Sequence, residues 1–266
     1  MQLFYREKGD KSQPALILLH GLWGASENWL PVANRLTGHY HVILPDLPNH
    51  GASPHIPRHD YDTLSDSIYE WIIQLELQVP LYLAGHSMGG KTLMTLLLKH
   101  PEITRKAIVI DIAPKDYART PETRLHENLC HYLQSTSPGN FHERDTFLSD
   151  IRAHFPEDET FHLLAKNIRK NKETGCFEWK INVESICPNL PRLQGWENPP
   201  QHRPYSGNLL FIKGENSNYI HPEEDTPAIR RLFPQAAFSI IPGAAHAIHA
   251  EQPELLAGCI QKFLQE

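Results

Sequence analysis

A serine lies between two glycines where an apolar run ends. Gly85-His86-Ser87-Met88-Gly89 follows PLYLA (80–84) and begins the helical pattern MGGKTLMTLLLKH (88–100). A Gly-x-Ser-x-Gly sequence at a strand-to-helix turn holds its serine in a strained conformation, and larger side chains at the glycine positions would collide. The serine oxygen then lies at the amino end of a helix, which favours developing negative charge. We predict that Ser87 is a nucleophile; the alternative is a glycine-rich turn with an incidental serine.

A nucleophilic serine needs a base, and two histidines follow the last predicted strand. A serine hydroxyl is a weak nucleophile until a base accepts its proton. His246 comes directly after the small loop that follows AFSIIPG (237–243), so it can lie over the serine, and we predict it as the base. His249 lies nearer the final helix, where a polar residue at a helix start is the simpler interpretation.

The acid that orients this histidine is predicted at Asp111. Asp111 ends the apolar run KAIVIDI (106–112), and a carboxylate there can fix the tautomer of His246 from a neighbouring strand. Its alternative role is to cap or hinge the segment that follows. Glu215 is the nearest carboxylate after NLLFIKG (208–214), but it lies too close to that strand to fit well. Ser87, Asp111 and His246 keep the chain order Ser…Asp…His.

The segment LLHGLWG (18–24) is predicted to complete the site. A His-Gly pair at the end of a strand allows the backbone N–H of Leu22 to face a substrate carbonyl, with the N–H of Met88 as the second oxyanion donor. Three nearby side chains are candidate substrate-binding residues: Trp23, His86 and Lys91. The alternatives are simple core packing for Trp23 and a surface lysine for Lys91.

Apolar runs alternate with helical patterns over most of the chain, and this alternation predicts the elements that position the site. Strand-like runs occupy 14–20, 40–46, 80–85, 106–112, 208–214 and 237–243. Runs that are apolar on both faces suit central parallel strands covered by helices, so we predict an α/β fold with a mostly parallel sheet flanked by helices. Loops at the carboxyl ends of such strands build the site, and the residues named above follow those ends.

Residues 115–205, here called the inserted segment, break this alternation. Their patterns are mainly helical, only CFEWKINV (176–183) looks extended, and NLPRLQGWENPPQHRPYSG (189–207) is predicted as a proline-rich return path. We therefore predict a core made of residues 1–114 and 206–266 and a helical cap made of the inserted segment.

The composition argues against several functional classes. A net charge of −6 over 266 residues gives no reason to expect a nucleic-acid partner. The longest apolar runs are strand-sized, which predicts no membrane span, and the first ten residues lack the features of a signal peptide. Seventeen histidines without a His-Glu-x-x-His sequence predict no metal site. Four cysteines lack Cys-x-x-Cys spacing and predict free thiols in a reducing cytoplasm: Cys130, Cys176, Cys187 and Cys259.

Together these motifs resemble the α/β-hydrolase superfamily. The segments LPDLPNHGAS (44–53), GHSMGGK (85–91), IDIAP (110–114), FEWKINVES (177–185) and GENSNYI (214–220) resemble one branch of it more closely. That branch comprises small bacterial carboxylesterases, active on short acyl esters and acyl-CoA thioesters, with mitochondrial relatives. Most members of the superfamily have the acid after the later strand, where this chain has Asn216-Ser217. In the branch the acid follows the strand of Asp111, which supports the prediction made from the residues.

The resemblance implies a serine hydrolase that cleaves a small acyl ester or thioester through an acyl-enzyme and needs no cofactor. Two other classes stay open at this point. The fold also hosts lyases that act on cyclic carboxylates, for which Lys91 could bind the anion, and ligand-binding receptors with a residual triad. The natural substrate and the oligomeric state are not predicted by the sequence.

Overall fold

A computed structural model describes residues 1–196 and 203–266 of the chain. The strands in these residues are β1 (Tyr5–Lys8), β2 (Ala15–Leu19), β3 (His41–Pro45), β4 (Leu81–His86), β5 (Lys106–Ile110), β6 (Ile168–Lys170), β7 (Phe177–Trp179), β8 (Asn208–Gly214) and β9 (Ala236–Ile241). The helices are α1 (Leu30–Leu36), α2 (Tyr61–Gln74), α3 (Met88–Lys99), α4 (Pro121–Ser135), α5 (Arg144–His154), α6 (Asp158–Lys166), α7 (Val183–Gln194), α8 (Pro222–Leu232), α9 (Ile248–Glu251) and α10 (Pro253–Gln265).

One mixed sheet forms the centre of the described chain, in the strand order β1-β3-β2-β4-β5-β8-β9. All neighbours from β3 to β9 pair in parallel, and β1 pairs antiparallel with β3 at the edge. The chain winds outward from β2 in both directions, as in a doubly wound sheet. The predicted α/β fold with a mostly parallel sheet is confirmed.

Both faces of the sheet are covered, because successive side chains of a strand point to opposite faces. In β2, Ile17 packs in the cluster that includes Leu64 of α2 and Leu93 of α3. Leu16 and Leu18 pack in a second cluster on the other face, with residues of α1 and α10. This arrangement explains why the strands are continuously apolar in the sequence.

Strand β1 was not predicted. Its sequence Tyr-Arg-Glu-Lys is mostly exposed, and it lacks the apolar run that predicts the central strands. Charged side chains are typical of edge strands, where they discourage pairing with another chain. Its place in the sheet depends on its hydrogen bonding to β3 rather than on apolar residues within β1 itself.

The inserted segment contains helices α4 to α7 and the antiparallel pair β6–β7. The prediction that a return path begins at residue 189 is wrong as far as residue 194, because α7 continues to Gln194 with Pro188 and Pro191 inside it. Asn182 caps the start of α7 by accepting a hydrogen bond from the Ser185 N–H. The buried apolar face of α7 offsets the loss of the backbone hydrogen bonds that its two prolines remove. Residues 197–202 of the predicted path lie outside the described residues.

A polar contact joins the inserted segment to the core. Asn182 donates from its backbone N–H to the carbonyl of Asn49 (2.9 Å) and from its amide to Asn49 Oδ1 (2.9 Å). The amide of Asn49 donates to Ser185 Oγ (3.2 Å), and Ser185 Oγ donates to the carbonyl of Pro57 (3.0 Å). Asn49 adopts a left-handed conformation with φ 68°, which asparagine tolerates better than most residues. These contacts bring together the segments LPNHGAS and INVES, which lie far apart in the sequence.

Two of the four cysteines are not free thiols, so the prediction for them was wrong. Cys130 of α4 and Cys187 of α7 form a disulfide, with their Cα atoms 5.4 Å apart and 57 positions apart in the sequence. The pairing depends on how two helices pack, which cysteine spacing alone does not reveal. Cys176 and Cys259 are free.

None of the helices described has both the length and the apolar character needed to span a bilayer.

Candidate active site

Ser87 occupies a tight turn between β4 and α3. Its backbone has φ 54° and ψ −117°, a conformation that non-glycine residues rarely adopt. A Cβ atom at Gly85 would lie 2.3 Å from the carbonyl oxygen of Gly89, and one at Gly89 would lie 2.6 Å from that of His20. Both glycines are therefore required by close backbone contacts, as the motif indicates, and the turn places Ser87 at the amino end of α3.

Asp111 and His246 are hydrogen-bonded. His246 Nδ1 lies 2.7 Å from Asp111 Oδ2, although the two residues are 135 positions apart. Asp111 is fully buried and has φ 53°, and its Oδ1 accepts the backbone N–H of Gly214 at 3.0 Å. A carboxylate accepts hydrogen bonds only, so Nδ1 carries the proton and Nε2 is left as the basic ring nitrogen.

Ser217 also donates its hydroxyl to Asp111 Oδ2. The resemblance implies that Asn216-Ser217 stands where the superfamily acid usually lies, but it does not imply that the Ser217 side chain turns towards Asp111. The carboxylate thus accepts hydrogen bonds from Ser217, His246 and Gly214, which fixes its orientation.

An aromatic stack holds the ring of His246 from one side. Tyr219 lies 3.7 Å from it, centroid to centroid, with 14° between the planes. The hydroxyl of Tyr117 donates to the Tyr219 carbonyl (2.6 Å) and accepts the backbone N–H of Ala113 (2.9 Å). Through Tyr219 and Tyr117, the imidazole of His246 is therefore linked to Ala113, which precedes the inserted segment, and to the loop of Tyr219, which follows it. Neither tyrosine was predicted, because stacking depends on the path of two loops.

The other candidates for base and acid are engaged elsewhere. His249 lies beside His86, with ring centroids 4.9 Å apart, and burial lowers the pKa of His249 to about 3. Glu215 is exposed, and its carboxylate accepts the backbone N–H of Gly243 at 2.8 Å. Of the two predicted histidines, His246 is the one bonded to Asp111.

His86 supports the loop of His246. Its Nε2 donates to the His246 carbonyl (2.8 Å), and burial holds the pKa of His86 well below its usual value, so the ring is neutral. The centroids of the two rings are 4.6 Å apart. His86 lies outside the group of residues that line the cavity next to Ser87, so its predicted contact with substrate is replaced by contact with His246.

Leu22 and Met88, the predicted oxyanion donors, both line the cavity next to Ser87. Met88 is the first residue of α3, where a backbone N–H has no partner within the helix. His20 shapes the loop before Leu22, because its Nδ1 donates to the Gly21 carbonyl (2.8 Å) while its Nε2 accepts the N–H of Leu47 (2.9 Å).

The cavity has an empty volume of about 420 Å³, including its open mouth. Its lining residues come from the core and from the inserted segment: Leu22, Tyr61, Ser87, Met88, Lys91, Ile112, Tyr117, Glu122, Thr123, His126, Leu190, Leu193, Gln194 and Tyr219. Apolar side chains form much of the wall, which suits the acyl or alkyl part of a small molecule.

Lys91 lines the cavity and is buried, so the alternative of a surface lysine is wrong. Its ammonium donates to the carbonyls of Gln194 (3.0 Å) and Gly195 (2.7 Å) at the end of α7 and lies 4.8 Å from the ring centroid of Tyr117. Burial lowers the pKa of Lys91 to about 7. Two of its three N–H groups are used by the protein itself, so the ammonium stabilises the end of α7 and is a poor candidate for the main binder of an anionic substrate.

Trp23 is buried and reaches the cavity only through another residue. Its indole Nε1 donates to His126 Nδ1 at 3.0 Å, and it is His126 that lines the cavity. The structure therefore shows Trp23 behind the wall rather than in it. His126 was not predicted, because no local pattern distinguishes it from the other histidines of the inserted segment.

Comparisons with known proteins support the α/β fold of the chain and identify its family. A family model described as the alpha/beta hydrolase fold matches residues 14–253. The chain is 34% identical to the sn-1-specific diacylglycerol lipase ABHD11 of Mus musculus, over 96% of this chain and 82% of that protein. It is 30% identical to Esterase YbfF of Escherichia coli (strain K12), over 94% and 93% of the two chains. The solved structure of a marine microorganism esterase has a TM-score of 0.93 and 37% identity, over 98% of this chain and 99% of that one.

Proposed function

The chain belongs to the α/β-hydrolase fold family, and from this membership we propose that it hydrolyses small carboxylic esters with short to medium acyl chains at Ser87. Because its relatives are named as esterases and a lipase, the chain is a serine hydrolase of the carboxylesterase type. The residue roles and the substrate are the proposal. The hydrogen bond between Asp111 and His246, on the same rim as the strained Ser87, carries it.

The reaction begins when Ser87 Oγ attacks the ester carbonyl and His246 Nε2 accepts the hydroxyl proton. The contact between Ser87 Oγ and Nε2 is part of the proposal. Asp111 keeps the other ring proton on Nδ1 and stabilises the imidazolium that forms. The N–H groups of Leu22 and Met88, together with the amino end of α3, stabilise the oxyanion.

The tetrahedral intermediate then collapses to an acyl-enzyme. The bond between the carbonyl carbon and the leaving oxygen breaks, and the imidazolium of His246 gives its proton to the departing alcohol. A water molecule attacks the acyl-enzyme, again losing its proton to Nε2, and the acid is released as Ser87 recovers its proton.

The inserted segment is proposed to act as a cap that selects the substrate. Leu190 and Leu193 of α7 line the cavity, and α4 contributes His126 from the same segment. An apolar wall binds acyl chains without fixing their length sharply, because one methylene is worth only about 1–3 kcal/mol in such a pocket. Acyl-CoA thioesters are the second substrate class within this proposal.

A panel of p-nitrophenyl esters and acyl-CoAs of increasing chain length tests the function. We expect turnover of short and medium esters by the native protein, at least about 10³ times faster than by Ser87→Ala. A fluorophosphonate probe should label the native protein at Ser87. Turnover that survives in Ser87→Ala within about tenfold would overturn the assignment of the nucleophile.

The predicted cytoplasmic location is a separate part of the proposal. The Cys130–Cys187 bond removes one of its supports, because disulfides persist mainly in oxidising compartments.

A further inference from the structure

His126 presents a hydrogen-bond donor of fixed identity to the cavity of Ser87. The indole N–H of Trp23 is a donor only, so the Nδ1 atom of His126 must accept it at 3.0 Å. Burial, and then the nearby His246, lower the pKa of His126 to about 4, so the ring is neutral near pH 7. A neutral imidazole carries one proton, and with Nδ1 accepting, that proton is on Nε2.

The Nε2–H of His126 is available to a ligand. His126 is half-buried and lines the cavity. Its Nε2 atom does not belong to the buried polar side-chain atoms that lack a hydrogen-bond partner. Within the described residues, the hydrogen bond of its ring is the one from Trp23. The free Nε2–H of His126 therefore faces the open volume of the cavity.

Trp23, which fixes this tautomer, is itself held in a strained conformation. Its φ of 64° lies in the left-handed region, which a bulky residue rarely adopts. Its backbone N–H donates to His50 Nε2 (3.3 Å), and its carbonyl accepts the Asn167 amide (2.7 Å). Backbone strain that neighbouring contacts enforce in this way is typical of functional positions. Here the strained backbone of Trp23 positions the indole that donates to His126.

We propose that His126 is a substrate-specificity residue whose Nε2–H binds a second oxygen atom of the ester, separate from the scissile carbonyl. This inference rests on the proposed function. Because the donor is neutral, the oxygen it suits is that of an ether, a hydroxyl or a second ester rather than a carboxylate. Much of the rest of the wall is apolar and does not distinguish such a substrate from an all-carbon one, so the His126 donor raises the preference for the oxygen-containing ester.

Two pairs of esters that differ by one oxygen test the proposal. On the acyl side the pair is p-nitrophenyl methoxyacetate and p-nitrophenyl butyrate, and on the alcohol side it is 2-methoxyethyl butyrate and n-butyl butyrate. The measured quantity is the ratio of kcat/KM within each pair, compared between protein variants so that intrinsic reactivity cancels. We expect His126→Phe to lower this ratio, for at least one pair, by about threefold to tenfold, as the loss of one hydrogen bond implies.

Two further variants separate recognition from packing. His126→Gln keeps an N–H near the same place and should restore the ratio to within about twofold of the native value. His131→Phe makes the same change at an exposed position of α4 and should leave the ratio unchanged. The native ratio should also stay constant from about pH 6 to 8, because His126 does not titrate there.

An unchanged ratio for both pairs in His126→Phe would overturn the proposal. So would an equal loss for both members of each pair, which would mean that His126 only packs. Either result, with all-carbon esters still hydrolysed in a Ser87-dependent manner, would leave the proposed function intact. Absence of Ser87-dependent turnover of any ester by the native protein would instead overturn the proposed function.

Discussion

Replacement of Asp111 by asparagine is the sharpest test of the site. Asparagine has the same shape and tolerates the left-handed φ of 53° at this position, so the change removes the charge without adding backbone strain. The residue is fully buried, and its carboxylate accepts from Gly214, Ser217 and His246. Any effect on kcat therefore reports on the carboxylate itself.

The magnitude follows from the two ways in which an amide can fit. With its oxygen towards the Gly214 N–H, its NH₂ group donates to His246 Nδ1 and forces the ring proton onto Nε2, which can then no longer accept the serine proton. With the amide reversed, two donors face each other in a buried place, at a cost of about 1–3 kcal/mol, or about 5- to 150-fold in the population of the productive tautomer.

Loss of the charge adds a second effect. A hydrogen bond to a charged group contributes about 1.5–3 kcal/mol and one between neutral groups about 0.5–1.5 kcal/mol, so a neutral amide stabilises the imidazolium less by about 1–1.5 kcal/mol, or about 5- to 13-fold in rate. The two effects together predict a fall in kcat of about 30-fold to 2000-fold.

The assay is the steady-state hydrolysis of p-nitrophenyl acetate, with circular dichroism to confirm the fold. Glu215→Gln is the matched control, because it makes the same chemical change at an exposed carboxylate whose partner, the Gly243 N–H, an amide oxygen also satisfies. We expect it to retain kcat within about threefold. If Asp111→Asn kept more than about a tenth of the native kcat, or if Glu215→Gln were the impaired variant, the reasoning would be refuted.

Three further predictions concern the base, the hydrogen bond from Ser217 to Asp111 and the buried His59. His246→Ala should lower kcat by at least about 10³, and His249→Ala by less than about fivefold; comparable losses in the two kcat values would contradict the assignment of the base. Ser217→Ala, which removes one of three hydrogen bonds to Asp111, should lower kcat by about threefold to tenfold, and an unchanged kcat would show that the bond is dispensable. Burial lowers the pKa of His59 from 6.5 to about 4, so between these pH values the unfolded chain binds more protons than the folded chain. The free energy of unfolding should therefore fall as the pH is lowered through this window, by up to about 1.4 kcal/mol per pH unit from this residue, and His59→Gln should flatten the slope measured by denaturant unfolding at several pH values.

The parts of the fold and site that the sequence predicts are those that depend on local pattern. The central strands are continuously apolar, and the turn around Ser87 needs its two glycines for steric reasons that hold in any context. Asp111 and His246 could be proposed because each follows the carboxyl end of a strand, and parallel strands bring such ends to one edge.

The parts that could not be predicted depend on contacts between distant segments. The stacking of Tyr219 on His246 and the bond from Trp23 to His126 are set by how loops and helices meet. The disulfide from Cys130 requires α4 and α7 to pack side by side. The helical structure of α7 could not be predicted from its local sequence, because its two prolines indicate a loop, whereas its buried face keeps it helical.

The shared oxygen of Asp111 has a consequence for how such sites change over evolutionary time. Ser217 and His246 bind the same Oδ2 atom, so position 217 lies one side chain away from the imidazole nitrogen that an acid must reach. A carboxylate arriving at 217 would meet Asp111 at hydrogen-bonding distance, and the two would share a proton rather than both ionise. From that paired state, loss of the carboxylate at either position would leave the other to support the histidine. Residues that follow the adjacent strands β5 and β8 can therefore both reach the region of the imidazole nitrogen, so the geometry of the sheet does not restrict the acid to one of these strands.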